Sequence, residues 1–359
     1  MVEIADIFRQ HGPAYRARYG ARIPSNHLKA MAAIEACRTE TLGGHLYACP
    51  ECDEILYSYH SCRNRHCPKC QNDAAQVWLQ KQQDFLLPVP YFMVTFTLPA
   101  QLKAAARGHQ QLIYNLLFRS AAAALQQLAQ DPRFVGGKIG MVAILQTWTR
   151  DLRYHPHLHC LVPGGGLSSD GDTWLPSGQN FFVHAQPLSI LFRAKFRDAL
   201  KKTNLFAQVP SDAWSQDWVV DCRPVGTGAA ALKYLAPYVF RVAISNNRIL
   251  KLDNDQVTFT YKKGDGGKPK RCTLPADKFI HRFLQHVLPK GFVKIRYYGL
   301  FSPGNRPLLR RVRTLLASAD ATSSPQAQST TATQKADFFC PKCGQVMTLV
   351  HSIRPHKPP

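Results

Sequence analysis

His155-Pro156-His157-Leu158-His159-Cys160-Leu161-Val162 is the stretch whose reading decides the fold. Side chains alternate faces along a strand, so His157 and His159 share one face and Leu158, Cys160 and Val162 share the other. Two imidazoles at that spacing can share one metal ion. Met141 to Thr149 reads as a second strand, and Arg150 to Tyr154 is short enough to join the two as an antiparallel hairpin. If residues 146 and 157 pair across it, Gln146 faces the histidines as a third ligand. An amide and two imidazoles leave positions open for phosphate oxygens and water, which suits exchangeable Mg²⁺ or Mn²⁺. His155 is the alternative third ligand or a substrate contact.

Working outward, Tyr91 to Leu98 is rich in aromatic and β-branched residues and reads as a further strand, as do Trp218 to Cys222 and Val257 to Lys262. Helical spacing of apolar residues predicts helices over 25–37, with Ser25 as N-cap, and over 73–86, 108–130, 187–204 and 277–287. Gly226-Thr227-Gly228 opens an Ala-rich helix that carries Tyr234 and Tyr238. At i,i+4 they share one face, with Lys233 beside the first. Such a pair ordinarily packs a core. Beside a metal motif, a tyrosine hydroxyl can instead attack a phosphodiester and store the bond energy as a phosphotyrosine.

Charge points the same way. Among 359 residues, 45 Lys and Arg face 23 Asp and Glu, a net charge of +22. A chain this basic commonly meets a polyanion, above all nucleic acid. The 45% hydrophobic content supplies a real core. Acids stand near the N-terminus where a signal peptide carries Lys or Arg, and no apolar run approaches the roughly 20 residues of a membrane span. The expectation is a cytoplasmic protein, nucleoid-associated when acting, whose 11 cysteines serve metal sites rather than disulfides.

The cysteine spacing sharpens that expectation. Cys49-x2-Cys52 and Cys67-x2-Cys70 present two knuckles for one tetrahedral Zn²⁺. Cys37, His45, Cys62 and His66 remain as a second, interleaved set. Cys340, Cys343, His351 and His356 could close a small C-terminal finger. Arg63 and Arg65 would project from the rigid zinc platform toward DNA, with Lys233 and Arg241 as further DNA contacts.

Four motifs together resemble the two-tyrosine rolling-circle transposases of insertion-sequence family ninety-one, within the HUH endonuclease superfamily. Ser61-Cys62-Arg63-Asn64-Arg65-His66-Cys67-Pro68-Lys69-Cys70 resembles that family's zinc-binding domain. Phe96-Thr97-Leu98-Pro99 resembles the first superfamily motif. The opening stretch resembles the HUH motif, and Tyr234-Leu-Ala-Pro-Tyr238-Val-Phe-Arg241-Val-Ala-Ile-Ser245-Asn246 the tyrosine motif. The likeness covers roughly residues 10–315. It implies an α+β fold: a central antiparallel, palm-like (ferredoxin- or RRM-like) HUH sheet with packed helices, plus the zinc-binding domain. It also implies single-stranded DNA at transposon ends and target DNA as partners, a 5′-phosphotyrosine, strand transfer and no ATP. Pro237 departs from the family pattern and should kink the tyrosine helix, since its ring presses on the Lys233 carbonyl. Tyr234 is then the first nucleophile and Tyr238 the second.

The domain organisation expected is 1–87 helical and zinc-binding, 88–262 nuclease, 263–316 a basic α/β extension, 317–336 a flexible linker and 337–359 a zinc-binding tail. A rolling-circle replication initiator or relaxase would share the chemistry, but the double-CxxC segment and the lack of a helicase motif favour a transposase. A zinc-dependent nucleic-acid-binding regulator would leave the His and Tyr motifs as coincidences. An acidic-triad transposase finds no convincing acid cluster.

Overall fold

A computed structural model describes residues 2–70, 77–80, 82–83, 86–228, 230–233, 239, 243–262, 267–319 and 338–356. It is a mixed α and β protein whose sheets are antiparallel. The central sheet holds β3 (Pro90–Thr97), β4 (Gly140–Trp148), β5 (Tyr154–Pro163), β8 (Val220–Thr227) and β12 (Ile295–Gly299), in the order β12-β4-β5-β3-β8. The predicted hairpin forms: β4 and β5 pair antiparallel, and Gln146 lies opposite His157. β5 starts at Tyr154, so His155 belongs to the strand. A short ribbon, β6 (Gly165–Leu167) and β7 (Trp174–Pro176), follows it.

Both faces of the central sheet are covered, and alternation sorts its residues between them. Phe92, Val94 and Phe96 of β3, Met141 and Leu145 of β4, and Leu158, Cys160 and Val162 of β5 are buried in one core. In that core they meet α4 (Gln110–Ala129), which follows the short α3 (Lys103–Gly108), and α5 (Ala185–Lys201). Phe96 meets Phe192 of α5 edge to face at 5.0 Å. On the other face Tyr91, Met93, Val142, Ile144 and Leu161 form a second core. It includes Ala231, Leu232 and Val239 and the buried stripe Leu309, Val312 and Leu316 of α7 (Arg306–Ala319).

A third core begins at Trp148, the last residue of β4. α1 (Ile4–Tyr19) and α2 (Ser25–Ala36) pack with α6 (Ala276–Leu284) and the sheet β11-β10-β9, formed by β9 (Ile249–Asp253), β10 (Gln256–Lys262) and β11 (Pro269–Pro275). Phe8 of α1 meets Phe283 of α6 at 5.3 Å, and Arg18 pairs with Asp277 at 2.6 Å. A last sheet joins β1 (Gly44–Ala48) and β2 (Ile55–Tyr59) to β13 (Thr348–Ile353), in the order β13-β1-β2. Among the described residues no helix is long and apolar enough to cross a membrane.

Two expectations change. Pro24 takes the N-cap position of α2 and Ser25 is its first residue, because proline's fixed φ of −57° suits the entry. Residues 317–319, expected in the linker, complete α7, and 320–337 lie outside the described residues.

Gly299 closes β12 with φ at +59°, and a Cβ there would stand 1.9 Å from the Ile139 carbonyl oxygen. Gly299→Ala should therefore destabilise the chain by more than about 1 kcal/mol. Gly108→Ala, where a Cβ meets nothing within 4 Å, should leave stability unchanged or slightly raised. Thermal denaturation of the two variants side by side checks this.

Candidate active site and metal clusters

The register of three strands builds the site. Gln146 and Ile144 of β4 lie opposite His157 and His159 of β5, and Thr97 and Thr95 of β3 flank the same pair from the other side. Asp221 of β8 lies opposite Thr95 and so shares the face. His157 and His159 are 8% and 6% exposed, with ring centroids 4.9 Å apart at 78°. The His157 Nδ1–H donates to the His155 carbonyl at 2.7 Å, because a carbonyl can only accept. That bond fixes the tautomer and leaves the Nε2 lone pair free to ligate. The His159 Nδ1 lies 3.3 Å from the Thr95 hydroxyl.

Burial keeps both imidazoles neutral. Desolvation brings His157 down to about 4 and holds His159 well below its ordinary range, with His157 and Arg223 adding to the second shift. The Gln146 side chain donates Nε2 to the Trp148 carbonyl at 3.1 Å, which leaves its Oε1 buried with no hydrogen-bond partner among the described residues. Two neutral imidazoles beside an orphaned amide oxygen fit a divalent cation of the Mg²⁺ or Mn²⁺ kind, since an unpaired buried oxygen otherwise costs about 1–3 kcal/mol. The His155 ring stands 5.3 Å from that of His157, on the same face.

Tyr234, Pro237, Tyr238 and Arg241 lie outside the described residues. Their neighbours bracket them. Ala231, Leu232 and Val239 are buried in the core on the histidine side of the sheet, and Lys233 is exposed. Lys294, absent from the sequence reading, donates from Nζ to the Val239 carbonyl at 3.2 Å and lies 5.0 Å over the Trp148 ring. Its backbone carbonyl accepts from the Leu145 N–H, so one residue ties the strand of Gln146 to the segment after the tyrosines. Burial, then the Arg65 charge, brings its ammonium down to about 7. Arg65, His66, Trp148, Val239, His286 and Lys294 line a cavity of 340 Å³. No motif marks Lys294; only the fold brings it there.

The cysteines sort differently from the expected pairs. Cys37, Cys62, Cys67 and Cys70 form one group and Cys49, Cys52, Cys340 and Cys343 another, the sulfurs of each lying within 4.8 Å of one another. Cys49 and Cys52 do not join Cys67 and Cys70, because they occupy the turn of the β1–β2 hairpin. Its five-residue strands carry that turn roughly 17 Å from the hairpin's base. His45 and His66 do not complete a second site. His45 packs edge to face on His60 at 5.0 Å, and the His66 Nε2 accepts from the Leu288 N–H at 3.4 Å. The tail does not close a finger of its own. His351 sits on β13 opposite Leu46, and both it and His356 are exposed, apart from the sulfurs.

In the first group the Cys37 and Cys70 sulfurs are 3.5 Å apart and those of Cys62 and Cys70 3.6 Å. Hydrogen bonds from the Cys62 and Cys67 thiols pull Cys37 far below the ordinary thiol range. Four soft thiols converging on one point suit tetrahedral Zn²⁺. This cluster also places its arginines. Both are exposed, Arg63 at φ +51° and Arg65 while donating to the carbonyls of Phe292 at 2.6 Å and Pro289 at 2.8 Å. Arg65 thus ties the knuckle to the segment before β12.

Comparison with known proteins identifies what the chain is similar to. A family model described as "Transposase zinc-binding domain" matches residues 7–98, and one described as "Putative transposase" matches 140–307. The chain is 40% identical to "Putative transposase y4qJ" of Sinorhizobium fredii, over 97% of this chain and 94% of that one. It is 28% identical to "Transposase for insertion sequence element IS801" of Pseudomonas savastanoi pv. phaseolicola, over 77% and 70% respectively. No solved structure matches the chain.

The lowered Lys294 gives a pH signature. Its folded pKa of about 7 lies below the unfolded value of about 10.4, so between these the unfolded chain binds a proton that the folded chain does not. Stability from this group therefore rises with pH from 7 toward 10, by less than about 1.4 kcal/mol per pH unit, and is lowest below pH 7. Denaturant titrations of wild type and Lys294→Met at pH 6 and pH 9 should show the wild type gaining on the variant at the higher pH.

Proposed function

This chain belongs to the insertion-sequence family ninety-one transposases with an N-terminal zinc-binding domain, and on that premise we propose that it nicks single-stranded DNA at transposon ends through a 5′-phosphotyrosine and then transfers the strand. The observation that carries this reading is the β3–β5–β4 register, which groups His157, His159 and the orphaned Gln146 Oε1 on one face. The residues bracketing Tyr234 and Tyr238 pack on that same face. A central histidine-bearing strand in a five-stranded antiparallel sheet also supports the palm-like HUH architecture.

In this reading His157 and His159, through Nε2, and Gln146, through Oε1, hold the catalytic cation. When bound, Mg²⁺ or Mn²⁺ polarises the scissile phosphate and offsets the charge that develops on it. The Tyr234 hydroxyl attacks phosphorus, its proton passes to solvent or to the departing oxygen, and the bond to the 3′-oxygen breaks. The products are a 5′-phosphotyrosine and a free 3′-hydroxyl. Attack by another 3′-hydroxyl reverses the exchange at a new junction, so bond energy is conserved and no nucleotide is hydrolysed. Tyr238 supplies a second attachment point. Lys294 holds the backbone next to Tyr238 in place. The net charge of +22, with exposed Arg63 and Lys233, serves the phosphate backbone, so DNA binding should weaken steeply with salt.

Incubation of the chain with labelled single-stranded DNA bearing an element end and Mg²⁺ or Mn²⁺ should give a denaturant-resistant adduct. Tyr234→Phe with Tyr238→Phe should abolish it, and His157→Ala should slow it by roughly 10²-fold or more. Gln146→Leu should raise the metal concentration for half-maximal rate by about 10-fold or more. An adduct that survives the double Phe change would remove the tyrosines as nucleophiles. Undiminished cleavage in EDTA would remove the metal.

A further inference from the structure

The second cysteine group joins two segments far apart in sequence. Cys49-Pro-Glu-Cys52-Asp53-Glu54 follows β1, and Cys340-Pro-Lys-Cys343-Gly344-Gln345 precedes β13. The two segments fold alike. In each, the residue after the second cysteine has positive φ, +55° at Asp53 and +76° at Gly344. Its N–H donates to the carbonyl of the first cysteine, at 3.1 Å for Asp53 to Cys49 and 2.9 Å for Gly344 to Cys340. The N–H of the first cysteine donates to the carbonyl two residues past the second, at 2.9 Å for Cys49 to Glu54 and 2.7 Å for Cys340 to Gln345. Each is a knuckle that turns two sulfurs the same way.

The knuckles face each other. Sulfur separations are 3.3 Å for Cys49–Cys343 and 3.6 Å for both Cys52–Cys340 and Cys52–Cys343. Zn–S bonds of about 2.3 Å in a tetrahedron place sulfurs close to this far apart. Little else holds the tail. β13 pairs with β1 from Gly44 opposite Ile353 to Ala48 opposite Thr348, and Phe338 stacks on Tyr47 at 4.4 Å. The buried core shared with the hairpin is Cys49, Cys340 and Met347, while Leu349 and Val350 of β13 stay more than half exposed. A core this small does little by itself to offset the entropy of ordering the tail against β1. The matched zinc-binding model ends at residue 98 and so contains only half of this ligand set.

We propose that Cys49, Cys52, Cys340 and Cys343 together hold one Zn²⁺, a metal clasp that makes segment 338–353 a working part of the N-terminal zinc-binding domain. Without the ion, β13 leaves β1 and bares its edge.

Elemental analysis of the purified full chain tests the assignment. Wild type should carry two zinc equivalents, and Cys340→Ser with Cys343→Ser should carry one. A wild type with one equivalent, or a double variant that keeps two, overturns the clasp. A specific protease site placed within 320–337 gives a second measurement that does not depend on how the variant folds. After cutting, the tail fragment should elute with the rest of the chain in zinc buffer. From the Cys340→Ser, Cys343→Ser chain it should separate. Separation of the wild-type fragment in zinc, or its retention in the variant, refutes the proposal without touching the assigned transposition chemistry.

Discussion

Everything at the candidate active site depends on the pairing of β5 with β4 and β3. Side-chain period along a strand is two, so a slip of one residue would send His157 and His159 into the core under α4 and α5. It would also put Leu158 and Cys160 on the face that packs against Leu232 and Val239. Burial on both faces prevents that slip. Leu158, Cys160 and Val162 fit an aromatic core on one side, and Leu161 fits an aliphatic core on the other. The same pairing aligns Gln146 and Thr95 with the histidines, so one hydrogen-bonding register places the ligand set and its supporting hydroxyl together.

Depth then sets the chemistry. Removing the imidazoles from water favours their neutral forms, which are the forms that bind metal. The carbonyl of His155 orients His157, a backbone contact that the His-Pro-His sequence supplies from two residues away. On the far side of β4, Lys294 carries the cost of an enclosed ammonium while spanning Leu145 and Val239. Its hydrogen bond gives the Val239 backbone a fixed partner.

The described residues on either side of the tyrosines in sequence belong to two different cores. Leu232 and Val239 belong to the core beneath α7, whereas Ala243 and Ile244 belong to the core of α1, α2 and α6. In the first cysteine cluster, Arg65 leaves its knuckle to cap the carbonyls of Pro289 and Phe292.

Local pattern alone gives the strands β3, β4, β5 and β10, the main helices of the central domain, the hairpin, and Gln146 opposite His157. All are short-range consequences of side-chain period and turn length, and they suffice to bring His157, His159 and Gln146 onto one face. The four motifs together also identify the family. Short strands such as β12, and α1 with its internal Pro13, lack a clear periodic signal, since tertiary packing supplies their stability. The contacts of Lys294 and of Arg65 with distant backbone carbonyls could not be read, because their partners lie 55 and 227 residues away. The cysteines show the division most clearly. Spacing announces knuckles, since two thiols on a tight turn are a local matter. Which knuckles share a metal is decided by a hairpin that carries Cys49 and Cys52 away from Cys67 and Cys70, and by a tail that returns across the fold to meet them.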